Sequence, residues 1–112
     1  MQAGKLDRRV QFQRAEMVDD GLRSDPAWSD LGGVVWAERI EVSDAERIRN
    51  DQLQATIAAR FRVRYGSFTS SLTAADRLTC EGRTFEIFGI KEIGRREWLE
   101  ITAGAQVDQV PG

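Results

Sequence analysis

The chain has 112 residues, 16 Lys+Arg against 18 Asp+Glu, one cysteine and no histidine. That length supports one hydrophobic core rather than two, and a net charge of -2 supplies no bulk attraction to nucleic acid or to a membrane surface. The lack of histidine removes the commonest general base and metal ligand, and the lone Cys80 excludes both an intramolecular disulfide and a thiolate metal cluster. No apolar run approaches the ~20 residues of a membrane span, and residues 1–5 lead into charged sequence with no signal-peptide h-region. The expectation is a soluble intracellular domain that is not an enzyme and uses no cofactor or metal.

Residues 7–14 (DRRVQFQR) alternate, with Val10 and Phe12 on one face and Arg9, Gln11 and Gln13 on the other. This is the period of a half-buried strand in an antiparallel sheet wetted on one side. Residues 15–32 show no regular period and carry five aspartates or glutamates, Gly21, Pro26 and Gly32, which reads as a long loop with Trp28 and Leu31 pinning its far end. Residues 33–42 read as a second strand with Val34, Trp36, Ile40 and Val42 inward and Glu38 as the polar intruder. Ser43 then opens the capping box SDAE, which predicts a short polar helix over 44–54 with Arg47 and Arg49 on it. Its narrow apolar stripe of Ala45, Ile48 and Leu53 has little to gain from its own domain.

Residues 55–65 are the clearest strand. Ala59, Phe61, Val63 and Tyr65 face one way and Arg60, Arg62 and Arg64 the other. Two short strands follow at 77–80 and 84–90, then a hairpin over 91–102 around Gly94. Residues 104–112 read as a flexible tail of small residues. The fold class is therefore all-β and mainly antiparallel: a small barrel of about six strands with one long loop and one short helix, in a single domain over 1–103.

Three patterns are candidates for function. Fourteen of the sixteen cations are arginine, the side chain suited to planar contact with carboxylates and phosphates. Arg60, Arg62 and Arg64 form a row about 13 Å long at strand spacing. It reads as a solvated face, a salt-bridged subunit interface together with Arg47 and Arg49, or a phosphate contact. Asp19, Asp20, Asp25 and Asp30 lack the spacing of a calcium loop, so an acidic loop is the expectation. The acidic loop and the arginine row supply complementary faces on one chain, the arrangement that closes identical copies into a ring.

Four stretches, AGKLDRRVQFQR, VVWAERIEVSDAERIRNDQ, ATIAARFRVRY and DRLTCEGRTFEIFGIKEIGRREWLEITA, carry a resemblance in their order and spacing. The chain resembles the phage head–tail joining proteins (head–tail adaptor, head-closure or stopper proteins) of long-tailed phages and gene transfer agents. The resemblance implies a β-barrel subunit of a virion ring. Its partners would be the portal and its adaptor on the head side and the tail terminator or tail tube on the other, with double-stranded DNA passing through unbound. It places residues 15–32 at the channel or against a neighbour, makes 44–54 a docking helix, and offers no catalytic residues. Assembly would occur in the cytoplasm of the bacterial host. A tail-completion ring is an alternative of the same class. An OB-like module for single-stranded nucleic acid is an alternative of another.

Overall fold

The computed structural model describes residues 6–19, 21, 24–42 and 56–106. Six strands are seen among them: β1 (Arg8–Asp19), β2 (Ser24–Glu41), β3 (Thr56–Arg64), β4 (Arg77–Cys80), β5 (Arg83–Ile93) and β6 (Trp98–Gln106), with one 3-10 turn at Thr69–Ser71. All neighbours pair antiparallel, and the order β1-β2-β3-β6-β5-β4 closes on itself as a barrel. The expected all-β barrel is therefore seen. The sequence alternation explains it: Val10 and Phe12, Ala59, Phe61 and Val63, Leu78 and Cys80, Phe85 and Ile87, and Leu99, Ile101 and Ala103 all point inward and are buried. Phe61 and Phe85 meet edge to face at 5.2 Å in the centre, a favourable ring geometry. A barrel with this few strands has an interior that side chains fill completely.

Three expectations change. First, residues 15–32 are not a loop. β1 and β2 pair from Arg14↔Ser29 to Asp19↔Ser24, forming a two-stranded arm that leaves the barrel where the β1–β4 pairing stops at Gln13↔Arg77. Second, the faces of β2 are reversed over 34–39: Val35, Ala37 and Arg39 lie on the core side, while Val34 and Trp36 are exposed and Glu38 sits across from Arg62; Val42, just past the strand, is buried as expected. A one-residue slip in phase exchanges the two faces of a strand. Arg39 is the polar side chain that enters the interior, with its guanidinium 5.9 and 5.5 Å from the Phe61 and Phe85 rings and its Nε 3.2 Å from Glu41. Third, β6 runs on through Ala103, Gly104 and Ala105 in register with β3, so residues 104–106, expected in the tail, are strand. The helix predicted over 44–54 lies outside the described residues.

The junction of arm and barrel is a bulge. Val10 pairs with Val35 but Phe12 with Leu31, so β2 carries two extra residues there. Gly32 bends the chain at φ 67°, and the Gln11 side-chain amide donates to the carbonyls of Leu31 and Gly32 that the bulge frees from the ladder. The Phe68 ring packs directly against Gly32, with two of its carbons 2.7 Å from where a Cβ would stand. Extending β5 past its own bulge at Ile87/Gly89 places Phe88 outside. The two-residue turn Glu81-Gly82 has both residues at positive φ, the form that matches strand twist in tight hairpins.

Gly32→Ala combines left-handed backbone strain with a clash against Phe68, and is expected to lower stability by about 1–3 kcal/mol in urea denaturation. Gly33→Ala next to it meets nothing within 4 Å and should stay within about 0.5 kcal/mol.

Candidate functional site

The outward features of the barrel concentrate in two places, the arm and the outer face of β2, β3 and β6. An isolated two-stranded ribbon is marginal in water, so the arm needs an anchor at its base. Arg14 supplies it: its Nε and one terminal nitrogen reach the two carboxylate oxygens of Asp76 at 2.9 and 3.0 Å, and it also donates to the Ser71 carbonyl at 3.1 Å. The Asp76 side chain is only 2% exposed. Burial alone would raise its pKa, but the bidentate Arg14 and the Thr73 backbone N–H at 2.9 Å outweigh that and hold the carboxyl below its usual range. On the other side of the ribbon, the Arg77 guanidinium stacks 4.2 Å from the Trp28 ring centroid and its Nε donates to Gln13. Trp28 thus pins the arm by a cation–π contact rather than by entering the core, while Leu31 packs on the core as expected.

The expected acidic residues lie on this arm. Asp19 and Asp30 occupy one register face, with Gln13 donating to Asp30 at 3.1 Å and the Gly21 N–H to Asp19 at 2.8 Å. Asp25 stands opposite Val18 on the other face, and Asp20 lies outside the described residues. The alternation therefore splits the aspartates between two faces. Two apolar side chains accompany them at the far end: Met17 is 65% and Val18 53% exposed.

The arginine row is outside the barrel, as its spacing predicts, and its members have partners within the chain. Arg62 pairs with Glu100 at 2.9 Å, Arg60 approaches the same carboxylate at 3.8 Å, and the Arg64 guanidinium lies 5.2 Å from the Trp98 ring centroid. Arg47 and Arg49 lie outside the described residues. Beside Arg64 the exposed Trp36 carries Arg9 over its ring at 5.8 Å. Leu6, Val35, Trp36 and Arg64 line a cleft of about 470 Å³. The sequence signal for it was present, in two bulky residues at 34 and 36 that alternate with a small Ala37, but the eye assigns such residues to the core. Cys80 is buried and burial pushes its thiol pKa up, so it is a core residue. Among the described residues no three carboxylate or thiol side chains converge as a metal site would require.

The anchor makes a testable pH statement. Asp76 has a lower pKa folded than unfolded, so its contribution is complete above the unfolded value, about 3.9, and is lost as pH falls through the folded value. Asp76→Asn should cost about 1–3 kcal/mol at pH 7. The gap in melting temperature between the two proteins should close as the pH is taken well below 4.

Comparison with known proteins agrees with this architecture. The family model described as phage head completion protein matches residues 1–106. Among solved structures, the solution structure of protein SF1141 from Shigella flexneri 2a superposes with a TM-score of 0.71 at 26% identity, covering 94% of this chain and 96% of that one. A chain from the virion of a native gene transfer agent particle superposes with a TM-score of 0.64 at 20% identity, covering 90% and 94%; at that identity the likeness is one of fold. No curated protein matches the sequence. A family match spanning 106 residues, on a closed β-barrel, places this chain among the phage head completion proteins, structural components of the virion at its head–tail region.

Proposed function

We propose that the protein works as a homo-oligomeric ring in the head–tail connector, joining the DNA-filled capsid to the tail and taking no part in catalysis. Its partners on this reading are the portal and adaptor on the head side and the tail terminator or tail tube on the other. The observation that carries the reading is the pairing of a side-chain-filled barrel with a projecting acidic arm. A filled interior gives DNA no path through one subunit, so a passage requires several copies arranged around it. Residues 15–30 carry five acidic side chains against one arginine. A lumen bordered by such an arm repels phosphates and leaves the duplex free to slide, because each phosphate neutralised by a cation would add affinity. With Asp30 on its shaft, the arm is also the element long enough to obstruct the channel before ejection.

The outward β3 face of Arg60, Arg62 and Arg64 is the proposed side of contact between subunits. Since Arg62 and Arg60 already engage Glu100, reversing them would set like charges against a half-buried carboxylate in the same chain. Arg64, resting on Trp98, is the position at which the interface can be probed with least damage to the fold.

Particles assembled without this protein should show filled or leaking heads and separate tails by negative-stain microscopy, and adding the purified chain should restore joined particles. Tailed, infectious particles at normal yield in its absence would overturn the reading. One feature, the stacking of Arg9 on Trp36 and of Arg64 on Trp98, favours the nucleic-acid alternative. That alternative expects a salt-dependent gel shift of single-stranded DNA by the isolated chain; the connector reading expects none at physiological salt.

A further inference from the structure

We propose that the far end of the arm's paired strands, Glu16–Asp19 of β1 with Asp25 of β2, is a plug that seats in the Trp36 cleft of the next copy of the same chain, so that the arms tie the ring together. This rests on the ring reading and names the surfaces through which it would form.

Both halves of the contact are exposed and neither is explained by the fold of one chain. The plug presents Val18, 53% exposed, with Glu16 and Asp25 on the same face of the ribbon, and Met17, 65% exposed, with Asp19 on the opposite face. The socket carries Val34 and Trp36, 47% and 52% exposed, above the cleft of about 470 Å³ floored by Leu6 and Val35. Exposed apolar side chains that cluster within a polar rim mark contact sites, and a tryptophan beside a pocket is the residue type that most often dominates such contacts.

The rims are complementary in charge. Arg9 and Arg64 border the socket, and among the described residues neither forms an ion pair with a carboxylate; each lies over an indole ring instead. The acids of the plug would meet these two guanidinium groups at the moment the apolar surfaces are covered, when their attraction is least screened.

Geometry excludes the same chain as occupant. Arg9, at the socket, and Val18, at the plug, are nine residues apart along one extended strand, or about 30 Å. Pairing with β2 keeps that strand extended on both sides of the bulge, in a molecule whose longest dimension is 49 Å. A tip therefore reaches a socket only on another molecule. Because plug and socket are different surfaces, the contact is heterologous, the type that propagates around a ring instead of stopping at a pair. Seating the tip this way leaves the shaft, with Asp30, free to border the channel.

The test uses particles assembled on the full chain with Val18→Cys and Val34→Cys; the native Cys80 is buried. A short bismaleimide should convert the double variant into a ladder of multimers, while each single variant stays monomeric. Dimers from Val34→Cys alone would mean a twofold contact between sockets, and products containing a thiol of another particle protein would mean a different occupant; either overturns the proposal. Particles that assemble but give no ladder in the double variant also overturn it. Glutaraldehyde treatment of those same particles reads the ring separately: multimers there would leave the ring standing with some other contact, and monomers would remove both. Trp36→Ala, whose side chain is half exposed, should keep the melting temperature of the isolated chain within a few degrees and cut the yield of joined particles at least tenfold. Normal yield would contradict the plug-and-socket contact.

Discussion

Closure of the sheet is the constraint from which the other features follow. Six strands leave room inside for the side chains of Phe12, Phe61, Phe85, Leu78 and Ile101 and for little else. Among the described residues the barrel interior is taken up by packed side chains, and the polar and charged groups stand mostly outside it. Closure also uses up the strand edges around the waist of the molecule, which removes the commonest route to unspecific pairing between β proteins. Among the described residues, edges remain on the arm, where β1 and β2 continue past the point at which β4 stops, and on β5 beyond Glu86, where β4 has ended.

The arm is held by a small number of polar contacts rather than by a second core. Arg14 and Asp76, 62 residues apart, fix one side of its base, and Arg77 with Trp28 fixes the other. The Gly32 bulge sets the bend between the two bodies, with the Gln11 amide satisfying the carbonyls it frees and Phe68 filling the space a side chain would take. Orientation of the arm is thus encoded locally, in residues that the barrel itself does not need. Such a division lets arm and barrel be altered separately.

Much of the fold was legible in the order of residues. In the barrel stretches of β1, β3, β4 and β6 the inward residues are apolar and most outward neighbours polar, with Ala58 and Trp98 as exceptions, and the pattern gives both the strand and its face. β2 defeats that logic because its outer face is the more apolar one: Val34, Trp36 and Ile40 outweigh Val35, Ala37 and Arg39 on any hydropathy scale. The periodic signal was real but reported the exposed face of the strand, not the buried one. The arm was missed for a different reason. Gly21, Pro26 and clustered acids are turn formers, and a ribbon free on both faces has no alternation to display. The Arg14–Asp76 pair could not be read at all, since nothing in a linear sequence links two charged residues that distant. The candidate residues fared similarly: spacing placed the arginine row correctly outside, but its engagement with Glu100 and Trp98 depends on how β6 docks against β3.

The solitary thiol has a bearing on the life of a particle. A virion part is made in a reducing cytoplasm and must then persist in an oxidising exterior, where accessible cysteines cross-link, mispair or climb to sulfinic acids. Here the one thiol is buried in the same core cluster as Leu78 and Phe85, with burial disfavouring the reactive thiolate. Its thiol chemistry is therefore indifferent to the change of redox surroundings outside the cell: the subunit neither draws strength from a bridge formed afterwards nor is exposed to damage by one.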